Sequence, residues 1–190
     1  MRMIPTLVCV AALTAACSQK PAEQNSDNET AQAQAAAPAI ANDPVASALS
    51  AAPAAIAAGA AVMGGDGKML KEGSNGWTCM PDLPHTPGND PMCLDKAGLA
   101  WATAWIGKKA PDPDAVGLAY MLKGGSDASN TDPFATKPDG EWVDSGPHVM
   151  ILNARAAEAS GYPSGARPDV TRPFVMFGGT PYAHIMMPVN

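Results

Sequence analysis

The chain has 190 residues and a formal net charge of −6 at pH 7, from 12 Lys and Arg against 18 Asp and Glu. No basic cluster is present, so neither a nucleic-acid backbone nor an anionic membrane surface is an electrostatic partner. All 4 Trp, 3 Tyr and 3 Phe lie beyond residue 76, which gathers the large core-forming side chains into one domain of ordinary size.

Residues 1–16 have the plan of a bacterial export signal: Arg2, an uncharged apolar run from Met3, and small residues Thr14, Ala15 and Ala16 before Cys17. The run is too short to span a bilayer, which takes about 20 residues. A Cys directly after small residues resembles a lipobox, the site where bacterial lipoproteins are cut and lipidated. The usual Leu three places before the Cys is replaced by Thr14, with Leu13 one further back. Ordinary signal peptidase would cut at the same place, so a freely secreted protein is the alternative to a lipoprotein. Ser18, not Asp, follows the Cys, and by the same resemblance favours the outer membrane, facing the periplasm or the cell surface.

Residues 17–61 are expected to be the lipidated Cys and a flexible tether. Ser18 to Thr30 is polar, and Ala31 to Ala61 is Ala-rich with Pro38, Pro44 and Pro53 and no aromatic residue. Such a segment buries too little apolar surface to offset its ordering entropy. Within it, Asp43 followed by Pro44 has the form of an N-cap and a first-turn Pro, which allows a short helix from 44 to about 52.

The folded domain is expected over 62–190. Gly64–Gly67 predicts a turn between short strands near 61–63 and 68–72, and Ser74–Gly76 a turn into a strand at 77–80. A Pro-rich loop over 81–91 precedes a helix at about 93–108, on which Trp101 and Trp105 share a face. A core role for that pair outweighs a ligand platform. Residues 116–122 read as a buried strand, 124–146 as a long polar loop, and 148–152 as a strand. Asn153 caps a short helix to Ser160, and Phe174–Phe177 with Tyr182–Pro188 forms a hairpin. The result is an α+β fold, a single small domain on a mainly antiparallel sheet with one or two helices.

Four Cys are present. With Cys9 inside the signal and Cys17 the lipidation candidate, Cys79 and Cys93 remain as one pair. In an exported protein they are expected to form a disulfide. A zinc site is the weaker rival, because zinc pairs sit closer and come with a second pair.

Several segments carry a resemblance: Gly76-Trp77-Thr78-Cys79, the run Thr86 to Cys93, the run Gly125 to Pro133, and Gly179 to Met186. Together they resemble an uncharacterised family of exported bacterial proteins, over residues 62–190. The resemblance implies a domain and no activity.

Three constellations bear on chemistry. His148-Val149-Met150 and His184-Ile185-Met186 both fall in predicted strands, where i and i+2 share a face. Imidazole beside thioether suits copper, Cu(I) above all. The plainer reading, and the one the sequence favours, is that these are core residues, since Met fills irregular interiors. Second, Asp127, Ser129, Asn130, Thr131 and Asp132 line one loop. It faintly resembles a calcium loop but lacks the central Gly and distal Glu. Its plainer role is to bond its own backbone, with ligand binding through Asp127, Asn130 and Asp132 as the functional alternative. Third, His85, His148 or His184 as base with Asp127 or Asp132 and Ser126 or Ser145 would make a hydrolase, but no nucleophile elbow, metalloprotease, phosphate-loop or dinucleotide motif is present. The leading expectation is a membrane-anchored envelope lipoprotein with a binding role, for copper or a small ligand. An envelope enzyme, or a structural protein contacting other envelope components, is the alternative.

Overall fold

The computed structural model describes residues 43–82 and 84–189. The expected signal, Cys17 and the first part of the tether lie outside the described residues.

From Asp43 onward the Ala-rich stretch is folded rather than a spacer. Asp43 caps α1 (Pro44–Leu49), its Oδ1 accepting from the backbone N–H of Val45 at 2.9 Å and of Ala46 at 3.2 Å. A second short helix, α2 (Ala54–Ala57), follows. Ala48, Ala51 and Ala60 are fully buried and pack with Val62, Cys79 and Cys93. Folded structure therefore begins at least as early as 43, not at 62. The physical reason is that small side chains let a helix approach a sheet closely, with Val45, Leu49, Ile56, Trp77 and Tyr120 packed around them. The N–H of Leu122 donates to the carbonyl of Ala51 at 3.0 Å, tying the segment to the centre of the sheet.

Ten strands follow in chain order. β1 (Ala61–Met63) and β2 (Met69–Lys71) form the expected hairpin, and β3 is Thr78–Met80. β4 (Met92–Leu94) and α3 (Lys96–Ile106) occupy the region expected as one helix. Asp95 separates them: its Oδ1 accepts from Gly98 N–H at 2.7 Å, capping the helix, and from Leu118 N–H at 3.1 Å. β5 is Gly117–Met121. The expected polar loop contains a two-stranded ribbon of β6 (Gly125–Asp127) and β7 (Val143–Ser145). β8 (His148–Leu152), α4 (Ala154–Ser160), β9 (Phe174–Met176) and β10 (His184–Pro188) match expectation closely. Asn153 caps α4 through Ala156 N–H at 2.7 Å, and Gly161 ends it at φ 69°.

Eight strands build one sheet in the order β2-β1-β3-β4-β5-β8-β10-β9, antiparallel except between β1 and β3. This is the α+β, mainly antiparallel fold expected, with four helices among the described residues. α3 covers one face through Trp101 and Ala102. α1 and α4 lie over the other, α4 by way of Ala157 against Val175 and Ile185. α3 sits close on β5: a Cβ at Gly117 would lie 2.5 Å from the backbone of Gly98, so only glycine fits there. Cys79 and Cys93 are direct cross-strand partners on the α1 face and form the expected disulfide.

Enlarging Ala51, in the turn after α1, tests whether the Ala-rich segment is part of the core. Ala51→Leu should lower the unfolding free energy by about 1–3 kcal/mol through overpacking, read by urea titration. An unchanged midpoint would mean that the segment is not packed.

Candidate functional site

Side chains of alternate residues on a strand share a face, and register decides which residues of neighbouring strands stand side by side. On the face beneath α3, Met150 of β8 is opposite Met186 of β10. Met121 of β5 is opposite His148, and Met176 of β9 is opposite His184. Met80 and Met92 pair across β3 and β4. Six methionines and two histidines thus line one cavity of about 320 Å³. Trp101 and Trp105 of α3 close it from above, and the Trp105 indole N–H is held by the Pro133 carbonyl at 2.9 Å. His85, Thr86 and Asp90 of the β3–β4 loop and Asp127 of β6 complete its rim.

Both His-x-Met pairs expected from the sequence meet here. Met80, Met92, Met121 and Met176 were not anticipated, because they are scattered along the chain and become neighbours only through strand pairing. Their common signal is strand parity, each standing on the same face as His148 or His184.

The imidazoles are prepared alike. The Nδ1 of His148 lies 2.7 Å from the Gly146 carbonyl, and that of His184 lies 2.9 Å from the Tyr182 carbonyl. A carbonyl only accepts, so each Nδ1 carries the proton and each Nε2 is left with its lone pair. The His148 Nε2 is buried without a hydrogen-bond partner. Burial pushes the His184 pKa down to about 4 despite its hydrogen bond, with a smaller contribution from His148. Burial likewise lowers that of His148. Both rings are neutral near pH 7, as metal ligation requires, and a backbone carbonyl on the far nitrogen is the usual way of orienting a ligating histidine. Trp101 and Phe177 meet His184 edge-on, at ring centroid distances of 5.2 and 5.4 Å. Gly125 leaves room on the other side: a Cβ there would lie 3.1 Å from Met121 Cε and 3.4 Å from His148 Cε1.

The three polar residues of the loop do not converge. Asp127 lines the Met/His cavity, whereas Asp132 lines a separate cleft and accepts from Phe134 N–H at 2.9 Å through its Oδ1. Asn130 is fully buried and donates to the carbonyls of Gly165 and Val175, at 2.7 and 3.1 Å. Its own carbonyl receives the N–H of Phe177 at 2.7 Å. Asn130 thus braces the loop, and the structure does not bring Asp127, Asn130 and Asp132 together in one site. The plainer sequence reading of the loop holds for Ser129, whose Oγ accepts from the N–H of Thr131 and of Asp132. The cleft beside Asp132 is larger, about 690 Å³. Its charged groups are solvent-facing and answer one another, as Arg167 and Glu141 do at 3.7 Å, so it holds nothing comparable to the unpartnered His148 nitrogen.

Ser126, His148 and His184 do not make the contacts of a Ser-His-Asp arrangement. The Ser126 hydroxyl donates to Asp144 at 2.6 Å rather than to a histidine, and both buried imidazoles turn Nδ1 to a carbonyl rather than to a carboxylate.

Among known proteins, the chain matches no family model, no curated sequence and no solved structure.

Burial, and secondarily the charge of Asp90, pushes the Asp127 pKa up from the usual 3.8 to about 7. Between these values the unfolded chain releases a proton that the folded chain keeps, so stability falls as pH rises through that window. Asp127→Asn should therefore be more stable than the parent near pH 8, with the difference vanishing near pH 4. Urea unfolding across this range measures it, and parallel pH profiles would mean that Asp127 is solvated.

Proposed function

We propose that this protein is a lipid-anchored binding protein of the bacterial cell envelope whose Met/His cavity takes a soft transition-metal ion, copper(I) foremost. The observation that carries the reading is one cavity lined by six methionines that also holds a buried imidazole nitrogen with no hydrogen-bond partner. Thioether and neutral imidazole are soft and borderline donors, suited to Cu(I) and poorly suited to calcium or magnesium, which take oxygen ligands. Charge argues the same way. Desolvation cost rises steeply with ionic charge, so an apolar cavity admits a monocation more readily than a dication. Two carboxyls border it, Asp127 and Asp90, and burial raises the pKa of both, that of Asp127 to about 7.

Compartment enters through the sequence. Small residues before Cys17 support export and lipidation, and the Cys79–Cys93 disulfide is of the kind that persists outside the cytosol. Acyl chains on Cys17 would supply the anchor, at about 0.8 kcal/mol per buried CH₂.

A second reading has its own support. The cavity walls include Trp101, Trp105 and Phe177, and apolar, aromatic walls with a few polar groups are what a small organic ligand needs.

Titration of the purified, oxidised full chain with Cu(I) against a chromogenic competitor should show tight binding, with Zn²⁺ much weaker and Ca²⁺ absent. A chain that leaves all Cu(I) with the competitor would sink the metal reading and turn attention to apolar ligands. Separately, Cys17→Ser should abolish acylation and leave unprocessed precursor in the membrane fraction. Normal processing and release of that variant would refute lipidation.

A further inference from the structure

The two histidines stand too far apart along the sheet to share an ion. The β8–β10 register sets Pro188, not His184, opposite His148. His184 lies four residues further along β10, roughly 13 Å at the usual rise per residue, and one strand spacing of about 4.8 Å to the side. Side chains leave a sheet nearly perpendicular to it, so these rings rise side by side rather than reaching toward each other. Their Nδ1 hydrogen bonds set how each ring is turned. His148 bonds back to Gly146 and His184 back to Tyr182, each toward the start of its own strand. In an antiparallel pair those directions are opposite, so the Nδ1 edge of each ring faces away from the Met150–Met186 row and the Cδ2–Nε2 edge faces toward it. Two imidazoles on one ion would each need a nitrogen about 2 Å from it.

Each histidine instead has thioethers of its own. Met121 is directly opposite His148, and Met176 is directly opposite His184. Met150 and Met186 face each other in the row between, two residues from His148 and His184 respectively. One imidazole with two thioethers is a complete soft donor set for a low-coordinate monocation, and the floor supplies it at both ends.

Resting on the Cu(I) reading above, we infer that the cavity holds two soft-metal positions, one built on His148 with Met121 and Met150, the other on His184 with Met176 and Met186. The central Met150–Met186 pair adjoins both positions. Two monocations in one cavity repel, and this repulsion makes the second bind more weakly than the first.

X-ray absorption of the oxidised full chain, loaded anaerobically with Cu(I), tests this together with a count of bound copper. Two ions per chain, each with a single nitrogen and the remaining ligands sulfur, is the expected result. Met121→Leu and Met176→Leu keep volume and parity, and each should weaken one ion by tenfold or more while leaving the other. One ion per chain with two nitrogen ligands, weakened alike by both variants, would overturn the two positions and leave the Cu(I) reading standing. No bound copper at all would overturn both.

Discussion

The pairing of β8 with β10 is the constraint on which the cavity depends. Met150 opposite Met186 fixes which residues of both strands look toward α3. A slip of β10 by one residue would turn His184 and Met186 to the α1 and α4 face and bring Ile185 and Met187 beneath the tryptophans. The opposite face is bound to the same parity. Val175 and Ile185 meet Ala157 of α4 there, and Cys79 and Cys93 meet Ala48 of α1 and the alanines that follow it. Each face is thus selected twice, once by what it buries and once by what its partner face buries.

The two faces are finished by different chemistry. Beneath α1 the interior is centred on alanines, Val62 and a disulfide, closely packed. Beneath α3 it is built from unbranched, polarisable methionines around space. A core meant only to be filled would favour branched aliphatic side chains with few rotamers. The cavity wall instead combines side chains that adjust their reach with imidazoles fixed by backbone carbonyls, which separates adaptable donors from oriented ones.

Much of the fold was legible because it is written locally. Asp43-Pro44, Asn153 and Gly161 mark helix ends, and Gly64–Gly67 marks the first hairpin. The cap at Asp95 was passed over because apolar residues continue on both sides of it, and Met92–Leu94 was absorbed into the helix. The packing of α1 was missed for a different reason. Alanine contributes little area, and only a closely approaching sheet makes that area count. For the site, His148-x-Met150 and His184-x-Met186 were visible at their spacing of two. The other four methionines lie on four different strands and are joined by hydrogen-bond register alone, which no short window of sequence contains.

Phe177 gives the cavity a connection to the rest of the surface. It holds φ at 57°, a conformation costly for a bulky residue, and its ring forms part of the wall beside His184. Asn130 receives its N–H, and Thr180 donates both N–H and hydroxyl to its carbonyl. The strained residue is thus clamped by the polar loop on one side and the β9–β10 turn on the other. Thermodynamic linkage makes such a clamp reciprocal: whatever loosens the loop costs the cavity its wall, and whatever fills the cavity against that wall steadies the loop. An outward-facing segment that touches no ligand would in this way report whether the interior is occupied.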